Sequence, residues 1–154
     1  MTDTNTRPVS IRLTSRIDGE ETICLYEGRY RYKKSNHIIV YTDYSGNAAT
    51  RVGIRANEEV MLLHRSGAIK ADMLFDIRKD SRVDYDALYV KHHFILHTDC
   101  YKLIRENQGL SLYMEYSLDD HTGHPPIRGE QEMVITFLDI LTVGNNSDIE
   151  KEFL

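Results

Sequence analysis

The stretch CLYEGRYRYK, residues 24–33, decides the fold because charged residues alternate with uncharged, mostly aromatic ones along most of its length. One set of alternating positions carries the charged residues Glu27, Arg29, Arg31 and Lys33, and the other set is Cys24, Tyr26, Gly28, Tyr30 and Tyr32. Successive side chains of a β-strand point to opposite faces, so this alternation predicts a strand with one dry and one wet face. A helix would instead repeat its apolar residues every three or four positions.

The same alternation recurs in segment after segment from Val9 to Ile140. Turn-forming residues separate the segments, as in Asp18-Gly19 and Ser66-Gly67, and strands joined by short turns form an antiparallel meander. Closing the meander into a barrel removes its exposed edges. We therefore predict an all-β, calycin- or lipocalin-like barrel of about 8–10 strands. A two-sheet sandwich is the alternative, but short turns suit pairing between neighbours better than Greek-key crossings.

The chain is predicted to form one domain with a short segment on each side. A disordered segment is expected at 1–7, a β-barrel domain at 8–143 and a tail at 144–154. Ser147 and Glu150 have the spacing of a helix capping box, and Ile149 and Phe153 lie one turn apart, so the tail is predicted to contain a short helix. So short a helix must dock on the barrel to persist.

The composition indicates an acidic globular domain of 154 residues, 41% hydrophobic and 28% charged, with a formal net charge of −5. A negative net charge disfavours general affinity for nucleic acid or anionic lipid, so we expect neither a nucleic-acid nor a membrane partner. The first residues lack the basic-then-apolar order of a secretory signal. Cys24 and Cys100 do not make a disulfide framework of the secreted type, and we expect a cytoplasmic protein.

The hairpin MLLHRSGAIK, residues 61–70, resembles the central motif of the bacterial YwiB-like family, in which an Arg-Ser-Gly turn precedes Ala, an aliphatic residue and Lys. The segment Met133–Phe137 is similar to the last strand of that family, and so is the Tyr-rich segment near Tyr41. One turn differs, because residues 86–90 read DALYV where the family has Thr-Pro-aromatic-Gly. The resemblance implies a small calycin-like barrel akin to lipocalins and fatty-acid-binding proteins. It implies no activity, because the function of the family is unknown.

Tyrosines and the same hairpin supply the candidate ligand-binding groups. A buried phenol without a partner costs about 1–3 kcal/mol, which a bound amphipathic molecule would offset. Alternatively, the rings fill the core while the hydroxyls reach the barrel mouths or backbone carbonyls. The two cations of the hairpin could bind a carboxylate or phosphate at the rim, or only solvate the turn. The predicted ligand-binding residues are Arg65, Lys70, Tyr26, Tyr30, Tyr32, Tyr85 and Tyr116, and Tyr89 has the same parity as these tyrosines.

The sequence carries no nucleophile elbow, phosphate loop or dinucleotide fingerprint. We therefore predict no catalytic residues, no metal ligands and no cofactor. The loop at 119–124 is the alternative, since Asp119, Asp120, His121 and His124 would serve a metal or an enzyme if a second element added a ligand.

Three segments carry apolar residues on the face predicted to be wet, and exposed apolar patches of several hundred Å² are uncommon on monomers. These residues are Ile39 and Tyr41, then Met61 and Leu63, then Val134, Leu138 and Ile140. Either the tail or a second copy of the chain is expected to cover them, which makes a homodimer possible. Two functions follow: non-enzymatic binding of a small amphipathic or anionic molecule in the barrel, or a structural and protein-interaction role of these outer strands.

Overall fold

The structure is a computed structural model that describes residues 6–46, 48–87 and 90–138. Ten β-strands run through these residues, and no helix is present among them. The strands are β1 (Arg7–Ile17), β2 (Glu20–Lys33), β3 (Asn36–Asp43), β4 (Thr50–Ala56), β5 (Val60–Gly67), β6 (Ile69–Asp76), β7 (Ser81–Ala87), β8 (Val90–Glu106), β9 (Gly109–Asp119) and β10 (Ile127–Phe137). The helix predicted in the tail lies outside the described residues.

Every strand pairs antiparallel with the next one along the chain, and β1 also pairs with β10. That last ladder runs from Val9 opposite Phe137 to Ile17 opposite Gly129 and closes the sheet. The β1–β2 turn is Asp18-Gly19, with φ of 50° and 90°, the backbone that a tight hairpin requires. The structure confirms the predicted meander closed into a barrel and excludes the sandwich.

Alternate residues of all ten strands fill the lumen of the barrel with packed side chains. Burying apolar side chains in this way is the main favourable contribution to folding. The largest fully buried side chains are Phe75, Ile11, Ile39, Ile54, Met61, Leu96, Leu110, Leu112, Met114, Met133, Ile135 and Val9.

Two strands present their side chains opposite to the sequence prediction. Ile39 and Met61 are completely buried in the lumen, and Tyr41 and Leu63 are only 7% and 3% exposed, so the prediction that these four lie on the outer face was wrong. Both strands contain four successive apolar residues, and such a run is compatible with either phase. These four residues therefore no longer support the prediction of a dimer.

The third segment predicted to be apolar on the outer face comprises Val134, Leu138 and Ile140, of which the two described residues are not buried in the lumen. Val134 is half-buried and Leu138 is 37% exposed, while Ile140 lies outside the described residues. These residues alone make no large apolar surface.

A β-bulge changes the phase of β8. The pairing of Thr98 with Tyr116 is followed by that of Cys100 with Glu115, so Asp99 is the extra residue. Beyond the bulge, Tyr101 occupies the position opposite Met114 that continues the inner face. Cys100, next to the bulge, is half-buried and does not continue the inner face of Leu96 and Thr98.

Candidate functional site

One of the two hairpin cations points into the barrel. Arg65 has the parity of the buried Leu63 on β5, and its direct neighbours on β4 and β6 are the small Val52 and Ala71. Its side chain is half-buried. Lys70 is exposed on the outer face of β6, so the structure does not bring the two predicted cations together.

Two buried phenols lie close enough to the Arg65 guanidinium for its charge to lower their pKa values. Burial raises the pKa of Tyr41 to about 12, and the nearby Arg65 charge partly opposes that rise. The pKa of Tyr116 is likewise raised by burial and lowered by Arg65. Both phenols are therefore neutral at pH 7 and cannot act as counter-ions to the arginine. Asp43 accepts a hydrogen bond from the Ser45 backbone N–H at 2.9 Å. Among the described residues, the Arg65 side chain makes no hydrogen bond and no ion pair.

Further polar atoms line the lumen around Tyr116. Its hydroxyl accepts a hydrogen bond from Nε2 of Gln131, at 3.2 Å, and both side chains are buried. Thr98 lies directly opposite Tyr116 and is 3% exposed, and its Oγ1 is the one buried side-chain oxygen or nitrogen in the described part of the chain that has no hydrogen-bond partner. Gly129 makes room for the Tyr116 ring, because a Cβ there would lie 2.4 Å from Cζ.

An aromatic pair adjoins these groups. The rings of Tyr26 and Tyr41 stack with their centroids 4.5 Å apart and their planes inclined by 26°. Tyr26 is half-buried, and burial is the main cause of the rise in its pKa. Residues around the inward arginine thus form one group, which we call the Arg65 cluster: Arg65, Tyr26, Tyr41, Thr98, Tyr116 and Gln131.

Two of the predicted tyrosines lie at the opposite end of the barrel. The Tyr30 hydroxyl and Nδ1 of the buried His37 form a hydrogen bond of 2.8 Å. Tyr32 is 46% exposed, and Arg105 lies over its ring and donates to its hydroxyl at 3.3 Å. A pocket of about 340 Å³ opens here, with Tyr32, His37, Arg105 and Asn57 in its lining. Burial and the Arg105 charge lower the pKa of His37.

The structure therefore divides the predicted ligand-binding set. Arg65, Tyr26 and Tyr116 meet in one cluster, while Tyr30 and Tyr32 belong to the other end. Tyr85 is half-buried on β7, and Tyr89 lies outside the described residues. Sequence reasoning missed three members of the cluster, namely Tyr41, Thr98 and Gln131. Tyr41 was placed on the wrong face, and the other two are common polar residues without a distinguishing pattern.

The loop at 119–124 uses its acidic side chains to form turns. Asp119 accepts the His121 backbone N–H at 2.8 Å, and Asp120 accepts the Thr122 N–H at 3.0 Å. Within residues 6–46, 48–87 and 90–138, no three His, Cys, Asp or Glu side chains are grouped so that they could hold a metal ion. Nor does that part of the chain contain a helix long and apolar enough to cross a membrane.

Comparisons with known proteins place the chain among barrels of the predicted kind. The fold is similar to that in "Crystal structure of ywiB protein from Bacillus subtilis", with a TM-score of 0.74 and 16% sequence identity over 88% of this chain and 95% of that one. A comparison with curated proteins found no match. The family model described as "Domain of unknown function (DUF1934)" matches residues 9–126. These findings confirm the YwiB-like resemblance, and the chain belongs to the DUF1934 family.

Proposed function

We propose that the protein binds a small amphipathic molecule with a single anionic group at the Arg65 end of the barrel, without catalysing a reaction. One observation carries the proposal: Arg65 points into the lumen and has no anionic partner among the described residues. Charged groups withdrawn from water are normally paired or hydrogen-bonded, because their lost hydration must be replaced. A bound carboxylate would supply that partner.

The Arg65 cluster provides the other contacts that such a molecule needs. A guanidinium can donate two parallel hydrogen bonds to a carboxylate. Tyr26 is only half-buried, so its ring offers an apolar surface at this end of the barrel, and the buried Tyr41 supports that ring by stacking on it. Asp43 near Tyr41 disfavours a ligand that carries several negative charges. These features favour a monocarboxylate over a polyphosphate.

Lys70 provides a matched control, since it carries the same charge on the same hairpin but lies on the outer face. We expect octanoate to bind the unaltered protein and the Lys70→Gln variant with dissociation constants within about twofold, as only an exposed charge is lost. Arg65→Gln should weaken binding by about 10- to 100-fold, because a hydrogen bond to a charged group contributes about 1.5–3 kcal/mol. Isothermal titration calorimetry measures all three.

A second ligand distinguishes the contribution of the charged group to binding from that of the alkyl chain. Octanol has the same alkyl length but no charge, and its affinity should be insensitive to Arg65→Gln. If octanoate fails to bind at millimolar concentration, or if both substitutions weaken it equally, the proposed function is wrong.

A further inference from the structure

The first half of β2 has a free edge. The strand is 14 residues long, and it pairs with β1 from Glu20 to Tyr30. On its other side β3 pairs only with Gly28–Lys33: the ladder stops at Gly28 opposite Tyr41, although β3 itself continues to Asp43. Within the described residues, no strand pairs with that second side of Glu20–Glu27. A free strand edge presents backbone N–H and C=O groups that can pair with another extended segment.

Exposed apolar side chains occupy this same segment. Leu25 is 76% exposed and Ile23 is 51% exposed, both on the outer face of β2. Tyr44, at 77% exposed, stands across a groove of about 590 Å³ that Leu25, Tyr26 and Thr42 also line. Proteins usually cover or interrupt an apolar strand edge, because it would otherwise join other chains.

The charges of the segment indicate what kind of strand would pair with it. Glu20 and Glu27 lie near its two ends, and neither makes an ion pair among the described residues. Glu21 is paired with Arg16 at 2.8 Å, on the β1 side and so away from the free edge. A second copy pairing through the same segment would bring no cation to Glu20 or Glu27, since residues 20–27 contain no Lys or Arg.

We propose that Glu20–Glu27 of β2 is a docking edge for an extended segment of another protein, with basic residues at its ends and β-branched residues between them. The added strand would form backbone hydrogen bonds with the free edge, its cations would lie near Glu20 and Glu27, and its apolar side chains would cover Ile23 and Leu25. This mode of recognition is β-strand addition. It uses the outer edge of the barrel and does not depend on the Arg65 cluster.

A capped peptide of sequence KKVTVTKK serves as the probe, and EEVTVTEE is its charge-reversed control. Nuclear magnetic resonance measures hydrogen exchange of each backbone amide in the full chain. The basic peptide at saturation should slow exchange of the free-edge amides of residues 20–27 by about tenfold or more, as in formed secondary structure. The acidic peptide should leave them unchanged. Equal binding of the two peptides, or protection elsewhere on the barrel, would refute the proposal.

N-methylation distinguishes backbone pairing from simple charge attraction, since it removes N–H donors without changing side chains. A strand has two edges, so methylating alternate amides on one edge should abolish binding, while methylating the other edge should not. Binding that survives both modifications would contradict strand addition.

Variants of the chain test the role of the two carboxylates. The double substitution Glu20→Gln with Glu27→Gln should weaken binding of the basic peptide by roughly three- to tenfold, as expected for the loss of two exposed charge pairs. The control is Glu106→Gln with Glu132→Gln, which removes two exposed charges elsewhere. Equal weakening by both pairs would count against the proposal. Sedimentation showing a dimer whose 20–27 amides are protected without peptide would assign the edge to a second copy and also overturn it.

Discussion

Replacing Gly28 by alanine is expected to destabilise the barrel where β2 meets β3. An added Cβ would lie 2.4 Å from the backbone oxygen of Val40, 3.0 Å from Cδ1 of Ile11 and 3.1 Å from Cβ of Tyr41, whereas ordinary contacts begin at 3.4 Å. The two strands would have to separate by about 1 Å, and the carbonyl cannot rotate away because it belongs to the backbone. Overpacking of this kind costs about 1–3 kcal/mol, and alanine recovers about 0.5–1 kcal/mol through the unfolded chain.

Gly53 on β4 provides the matched control. It lies opposite Val40 on the other side of β3, and nothing comes within 4 Å of a Cβ added there. Gly53→Ala should therefore be neutral or increase the free energy of unfolding by up to about 1 kcal/mol. Gly28→Ala should decrease it by about 1–2 kcal/mol, which corresponds to a Tm lower by about 2–8 °C.

Urea unfolding followed by circular dichroism measures both variants against the unaltered protein. If Gly28→Ala proved as stable as Gly53→Ala, the reasoning from close approach would be refuted. The same substitution should also displace Tyr41 from its stack on Tyr26, so any octanoate affinity should fall with stability.

Three further predictions follow from the burial of Met61, Thr98 and His37. Met61→Ala should lower the free energy of unfolding by about 2–5 kcal/mol, because Met61 is fully buried. Leu25 is 76% exposed, so Leu25→Ala should change that free energy by less than about 0.5 kcal/mol. Equal effects of the two substitutions in urea titrations would show that the inward face assigned to β5 is wrong. Thr98→Val removes a buried hydroxyl without a partner, so it should increase the free energy of unfolding by about 1 kcal/mol and raise the Tm. A lower Tm would mean that this hydroxyl has a partner. Burial and the Arg105 charge lower the pKa of His37 in the folded state. The unfolded chain takes up a proton near pH 6.5 and the folded state does not, so stability should fall as the pH drops below that value. His37→Gln should reduce this acid-side loss between pH 7.5 and 5.5, and parallel losses in the two proteins would contradict the assignment.

Strict alternation was sufficient to predict most of the barrel. In β2 and β9 polar and apolar residues alternate cleanly, and the inner positions Tyr30, Leu112 and Met114 are buried as expected. In β3 and β5 the run of apolar residues left both phases open, and only pairing with Ile54 and Phe75 on neighbouring strands fixes them. The bulge in β8 has no sequence marker, because Asp99 differs in no obvious way from the polar residues around it.

The candidate site was only partly predictable for a related reason. Alternation indicates which face a side chain occupies, but not how far along the barrel it lies. Tyr26 and Tyr30 share a face of β2, yet Tyr26 belongs to the Arg65 cluster and Tyr30 forms a hydrogen bond with His37 at the opposite end of the barrel. Similarly, the hairpin motif identified Arg65 and Lys70 together, and only the pairing of β5 and β6 shows that one points inward.

Closure of the sheet between β1 and β10 has a consequence for biosynthesis. Val9 is synthesised well before its partner Phe137, and the ladder between them cannot form until Phe137 has followed. During translation one edge of β1 therefore stays unpaired until β10 has been synthesised. Among the described strands, the β1–β10 ladder joins the residues most distant in sequence, and it is also the one that closes the barrel. Such long-range pairing is typical of slowly folding proteins, and the nascent chain would depend on early hairpins such as β1–β2 to keep its apolar residues from neighbouring chains.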